Sequence, residues 1–166
     1  MIEGKNSPRR NNLPTPLSVF IGREQELASL KQLLSENRLV TLTGAGGSGK
    51  TWLAIKLAKI LLDIFEQGIW LIEFASLVDA KLVPQVVATT LRMRERKNFL
   101  PLDDRIKHLQ NHSLFLIFDN CEHLIKACAQ LAEKLLVACP RLRILATSRE
   151  DGWLPLAGVP EHKLED

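Results

Sequence analysis

The residues with the most specific chemistry are Gly44-Ala45-Gly46-Gly47-Ser48-Gly49-Lys50-Thr51, a match to the pattern G-x-x-x-x-G-K-[ST]. Glycines at this density let the backbone fold tightly enough for consecutive N–H groups to converge on a polyphosphate. A helix starting at Lys50 adds its unsatisfied N–H groups and positive dipole end to the same anion. Lys50 is then placed to reach the β- and γ-phosphates, and the Thr51 hydroxyl to ligate Mg²⁺. Such a site needs a carboxylate to orient the metal, and Asp119 supplies one directly after the apolar run 114–118. The competing role for Asp119 is a cap on the helix that follows. Glu122 has two roles open: stabilising that helix through its dipole, or positioning the water that attacks a phosphate. In Thr147-Ser148-Arg149-Glu150, Arg149 offers a guanidinium for a γ-phosphate, against the plain alternative of a surface arginine.

These groups meet only if the chain alternates strands and helices. Leu27, Leu30, Leu33 and Leu34 predict an amphipathic helix over 23–35, with Glu24 and Glu26 in its first turn. Residues 39–43 predict a strand leading into the glycine-rich loop. The helix after the loop, 50–65, is apolar nearly all round, so its sides are expected to be mostly covered. Gly68 breaks it, and 69–74 reads as a second strand. Asp79 is placed to cap a helix carrying Val83, Val87 and Leu91, with Pro84 tolerated in its first turn. A weak helix follows over 103–110. The run 114–118 is continuously apolar, as in a parallel strand buried on both faces. Residues 122–139 predict a helix with Leu124, Cys128, Leu131 and Leu135 inward, ended by Pro140. Residues 142–147 are a fourth strand, and 162–164 begin a fifth. The pattern predicts an α/β fold with a mainly parallel sheet, carrying the loop, Asp119 and Arg149 along one edge.

With 166 residues, 46% of them hydrophobic and 25% charged, the chain is long and apolar enough for one folded domain. Residues 1–18, with Pro8, Pro14 and Pro16, are expected to be a flexible leader, leaving 19–166 as the domain. A net charge of +3 is too small to predict nucleic-acid binding, and the basic cluster 92–97 is expected to be a solvated loop. Cys121, Cys128 and Cys139 form no paired framework and read as small buried hydrophobes of a reduced cytoplasm. No secretory segment and no apolar run of membrane-spanning length is apparent, so a soluble, cytoplasmic chain is expected.

Four stretches in one order carry a resemblance: Phe20-Ile21-Gly22-Arg23-Glu24, the run 39–51, Phe118-Asp119-Asn120-Cys121-Glu122-His123-Leu124, and Ala146-Thr147-Ser148-Arg149-Glu150. Together they resemble the ATPase core of the STAND class, signal-transduction NTPases related to NB-ARC domains. Within that class they look most like the ATPase modules of bacterial LuxR-type and SARP-type transcriptional regulators. The resemblance implies a P-loop NTPase sandwich of three α/β/α layers with strand order 5-1-4-3-2. It implies ATP or ADP with Mg²⁺ as cofactors, and a weak ATPase that serves as a switch. Ile21, Gly22 and Arg23 would lie against the adenine, and the loop from Gly44 through Thr51, with Trp52 beside it, would bind the nucleotide. Thr51 and Asp119 would hold the metal; Asp119, Asn120, Glu122 and Arg149 would form the catalytic group, Arg149 sensing the γ-phosphate. Many such ATPases carry a second acid after the metal-binding Asp, where this chain has Asn120, so slow turnover is expected. Trp52 stands where relatives often carry Arg, a change expected to affect helix packing more than chemistry.

Such cores are normally followed by a helical bundle and a winged helix and joined to an effector. The implied partners are therefore nucleotide, and other proteins or further domains of a longer chain, with no nucleic acid or membrane contacted directly by this segment. Gly152-Trp153-Leu154-Pro155-Leu156 is read as a chance likeness to the Gly-x-Pro motif of that bundle. Two other classes compete. A small-molecule P-loop kinase would need an arginine-rich lid, for which 92–97 is short, and an interaction module would hold nucleotide structurally without hydrolysing it.

Overall fold

In the computed structural model, which describes residues 10–15, 21–91, 102–149 and 159–164, strands and helices alternate along the chain. The order is α1 (Glu24–Glu36), β1 (Leu39–Gly44), α2 (Lys50–Leu61), β2 (Ile69–Glu73), a 3-10 turn (Ala80–Leu82) and α3 (Val83–Thr90). It continues through α4 (Leu102–Lys107), β3 (Leu114–Asp119), α5 (Ile125–Ala138), β4 (Leu142–Ser148) and β5 (Glu161–Leu164). All pairings are parallel and the strand order is β2-β3-β4-β1-β5, which read from the other edge is the 5-1-4-3-2 order that the resemblance implies. Val19, Phe20, the cluster 92–97, Glu150 and the stretch 152–156 lie outside the described residues.

Side chains of a strand alternate between faces, and β3 divides its run between two cores. Leu114, Leu116 and Phe118 join Ile144 and Ala146 of β4 under α3, α4 and α5. Phe115 and Ile117 join Val40, Leu42 and Leu145 under α1 and α2. With helices on both faces, no position of β3 meets water, which is why its sequence is continuously apolar. Phe118 meets Phe74 edge-on at 5.5 Å in one core, and Phe115 stacks on Phe65 at 5.4 Å in the other.

At the N-terminal ends of the strands, two arginines close helix termini. Arg143 Nη1 donates to Leu34 O and Asn37 O at the end of α1. Arg38 Nη1 donates to Leu136 O (2.9 Å) and Cys139 O (3.2 Å) at the end of α5. Last-turn carbonyls have no partner inside their own helix, so a cation there satisfies them and complements the dipole.

Three sequence expectations need correction. First, part of the expected leader is built into the sheet margin. Asn11 bridges Ile69 in parallel, Ile69 N donates to Arg10 O (3.1 Å), and the Asn12 amide both donates to Leu71 O (2.8 Å) and accepts from Leu71 N (2.7 Å). Gly68 makes room for this: a Cβ there would lie 2.0 Å from Arg10 O. Second, α5 begins at Ile125, not at Glu122. Asn120 takes a left-handed conformation (φ 58) and Cys121 N donates to Thr147 O (3.1 Å), so the chain is tied to β4 and turns through Leu124 before it can coil. Third, α2 ends at Leu61 rather than near 65, although its sides are mostly covered as expected, with Trp52 41% and Ile60 49% exposed. All three cysteines are buried and free. Among the described residues no helix is long and apolar enough to cross a membrane.

Candidate functional site

The C-terminal ends of β1, β3 and β4 bring the expected residues together. The loop after β1 turns on positive φ at Gly47 (78) and at Gly49 (89), which precedes the first residue of α2. Ala45, Gly46 and Gly47 are exposed, and the amides of Gly46, Gly47 and Gly49 find no acceptor among the described residues. These donors, beside the first turn of α2, form an open concavity of N–H groups suited to an anion. Lys50 is buried, and its Nζ donates to Gly44 O (2.8 Å), Ala45 O (2.8 Å) and Ser48 Oγ (3.3 Å). The ammonium thus lies folded over the loop's own carbonyls, with its charge at the base of the concavity. Thr43 Oγ1 donates to Glu161 Oε1 (2.6 Å), fastening β5 beside the strand that enters the loop.

Across β4 from the loop lies Asp119, only 2% exposed. Its Oδ1 accepts from Thr51 Oγ1 (2.8 Å) and from Thr147 Oγ1 (2.6 Å), joining the first turn of α2 to the ends of β3 and β4 through one carboxylate oxygen. Thr147 Oγ1 accepts in turn from Asn120 N (3.0 Å), and Asn120 Nδ2 reaches Asp119 Oδ2 at 3.4 Å. The alternative role of Asp119, a cap for the next helix, fails on position, because α5 starts only at Ile125 behind Leu124. Glu122 lies in the intervening turn, its Oε1 3.5 Å from Arg149 Nε. Arg149 packs over Gly46, where an added Cβ would lie 3.2 Å from its guanidinium carbon. Burial pushes the Cys121 thiol well above its ordinary value, and the hydrogen bond to Cys128 and the Asp119 and Glu122 carboxylates push it further, so Cys121 stays a neutral thiol behind the site.

The sequence reading overlooked Thr147 as the relay between Asp119 and Asn120. Its only sequence signal is a hydroxyl near the end of a mostly apolar strand, and that signal means little without the register Phe118↔Ala146. Gly22 (φ 106) and Arg23 (φ 65) form a left-handed corner before α1, and Ile21 is 86% exposed. Trp52 stands exposed on α2 just past Thr51.

A parallel sheet of this order, with a glycine-rich loop after β1 and an acid at the end of β3, defines a P-loop NTPase. Comparison with known proteins specifies the class further. The chain belongs to the family described as Novel STAND NTPase 1, matched over residues 15–164. An uncharacterised protein of Mycobacterium tuberculosis is 35% identical over 150 residues, covering 90% of this chain and 37% of that protein. A second protein of that organism, provisionally named an HTH-type transcriptional regulator, is 39% identical over 121 residues, covering 73% of this chain and 14% of its own length. The chain thus spans well under half the length of these relatives. Among solved structures, a STAND protein with a tetratricopeptide repeat sensor from Pyrococcus horikoshii superimposes with TM-score 0.61 at 20% identity, over 92% of this chain and 24% of that one. CDC6P from Pyrobaculum aerophilum does so with TM-score 0.61 at 22% identity, over 84% of this chain and 41% of that one. At such identities these two likenesses speak for the fold.

Proposed function

We propose that this chain is the ATP/ADP-binding switch core of a signal-transducing regulatory ATPase, which hydrolyses Mg-ATP slowly and controls an effector, such as transcription, within a longer protein. The observation that carries this reading is the pairing of Thr51 Oγ1 with Asp119 Oδ1 at 2.8 Å. It brings the hydroxyl after the loop lysine to a strand-end carboxylate, the donor pair that such proteins use for magnesium. The residues fit the group: among the described residues the Gly46, Gly47 and Gly49 amides lack acceptors and nothing lies within 4 Å of a Cβ built on Gly47, while the Lys50 ammonium is bonded to carbonyls at the start of the same loop. Among the described residues no cluster of three or more His, Cys, Asp or Glu side chains could hold a metal by itself. A cation here would rely on Thr51, Asp119 and phosphate oxygens. Bound Mg²⁺ would neutralise phosphate charge and orient the terminal phosphoryl group.

The chain's own groups favour holding nucleotide over turning it over. Asn120 cannot take a proton from water, and its amide already faces Asp119. Glu122 is engaged by Arg149. Lack of a general base typically costs about 10²–10⁴-fold in rate. Slow turnover suits a switch whose bound state carries the signal. The relative provisionally named as a transcriptional regulator supports that output. Titration with labelled ATP and ADP, with and without Mg²⁺, tests the reading. Both nucleotides should bind, Mg²⁺ should tighten ATP, and Asp119→Ala should remove that metal dependence while circular dichroism stays unchanged. Single-turnover hydrolysis should be slow and should accelerate in Asn120→Asp. Absence of nucleotide binding, or brisk wild-type turnover, overturns the proposal.

A further inference from the structure

We infer that Glu122 is a positioning residue for Arg149, holding the guanidinium over the phosphate loop so that it distinguishes a nucleoside triphosphate from a diphosphate. The inference rests on the nucleotide-binding reading above and assigns Glu122 a part other than water activation or helix-dipole stabilisation. Three observations carry it. The Glu122 side chain is 21% exposed and its Oε1 lies 3.5 Å from Arg149 Nε, whereas Arg149 is 65% exposed. Glu122 Oε2 is buried without a hydrogen-bond partner among the described residues. The guanidinium rests on Gly46, with Nε and the central carbon each 3.2 Å from where a Cβ would stand.

An ion pair with so exposed a partner adds little to stability, while a dry, unbonded carboxylate oxygen is unfavourable. Fold stability therefore does not account for the arrangement; placement does. Glu122 occupies the turn between β3 and α5, and the backbone of that turn is fastened to β4 through Cys121 N and Thr147 O. Its carboxylate is thus a fixed point, set by the same turn that delayed the helix. The ion pair is made at Arg149 Nε, and no hydrogen bond of the terminal nitrogens is found among the described residues. A guanidinium held at Nε keeps its fork of terminal donors for an anion. Gly46 sits in the middle of that loop, and its lack of a side chain lets the fork lie flat against it. The terminal donors are thereby kept beside the unpaired loop amides, where only the longer phosphate chain would engage both.

The test is the ratio of ATP to ADP affinity in the presence of Mg²⁺, measured by titration with labelled nucleotides. Wild type, Arg149→Ala, Glu122→Ala, Glu122→Gln and the double alanine variant are compared. Arg149→Ala should lower the ratio by about 10- to 100-fold, the range of a charge-assisted hydrogen bond. Glu122→Ala should lower it comparably, leaving ADP affinity within about twofold of wild type. Glu122→Gln keeps an acceptor for Nε and should restore most of the ratio. The double variant should be no worse than either single one, because both remove one device. An unchanged ratio in Glu122→Ala, equal losses of ATP and ADP binding, or effects that multiply in the double variant would each overturn the inference while leaving nucleotide binding intact. A wild type that binds neither nucleotide would overturn both.

Discussion

The two ends of the sheet use arginine in opposite ways. At the N-terminal ends, Arg38 and Arg143 direct their Nη1 donors to the last carbonyls of α5 and α1, so their charges are absorbed by helix termini. At the C-terminal ends, Arg149 rests on Gly46, pairs only with Glu122 among the described residues, and lies exposed over a loop in which the Gly46, Gly47 and Gly49 amides find no acceptor among those residues. Lys50 stands between these cases, hydrogen-bonded, but to carbonyls at the end of β1 and the start of the loop, in whose place a phosphate would be a stronger acceptor. Polar groups satisfied within the protein maintain a fold, whereas groups left half-satisfied on a rigid frame are available for a ligand. The contrast sets the candidate site at one end of a sheet that carries a separate core on each face.

The strongest way to break that contrast is Lys50→Ala, which removes the cation under the loop and leaves the backbone cradle. Two charge-assisted bonds to phosphate at roughly 1.5–3 kcal/mol each imply at least about a 100-fold loss of ATP affinity, read by labelled-nucleotide titration. Thermal stability should change little. Arg143→Ala should do the reverse, uncapping α1 and costing about 1–3 kcal/mol in a urea titration while ATP affinity in the folded fraction holds. Loss of nucleotide binding in Arg143→Ala beyond its unfolded fraction would show that the two ends are coupled and the division false. The smallest effect is expected from Asp103→Asn. Its partner Lys134, at 2.8 Å, holds the Asp103 carboxyl below the usual carboxylate range by a hydrogen bond and by its charge. A lowered folded-state value means that any stabilisation is present above the unfolded pKa and fades as pH falls through the folded one. Both side chains are largely exposed, so the variant's urea midpoint at pH 7 should fall only slightly below wild type, and that small deficit should vanish at low pH.

How much of this was legible in the sequence followed from how local each cause is. The loop declared itself because its chemistry lies in consecutive residues, and β3 because two covered faces leave no polar position before Asp119 in its run. The strand order came through the family resemblance, and periodicity alone would not have supplied it. Thr147 stayed hidden because its role depends on the register of β4 against β3, a relation between residues 28 apart. The start of α5 was misread because an acid shortly after a strand, here Glu122, looks like a first-turn residue. Hydrogen bonds to β4 postpone the helix and turn that acid toward Arg149 instead. Residues 10–13 were misread because their proline- and asparagine-rich surroundings suggest a free leader. Asn12, however, uses its amide as a substitute for one more rung of a sheet.

That last feature changes how the margin of the sheet should breathe. An edge strand ordinarily exchanges its outward amide protons by fraying alone. Here the Ile69 and Leu71 amides are both engaged by the segment carrying Arg10 and Asn12, so neither can meet solvent until that segment lifts. In a deuterium-exchange map, the two amides of β2 should therefore open together with residues 10–13, as one unit joined across 59 positions of chain. A polypeptide cut between residues 13 and 21 would present β2 as a bare row of donors and acceptors, free to zip onto a neighbouring molecule.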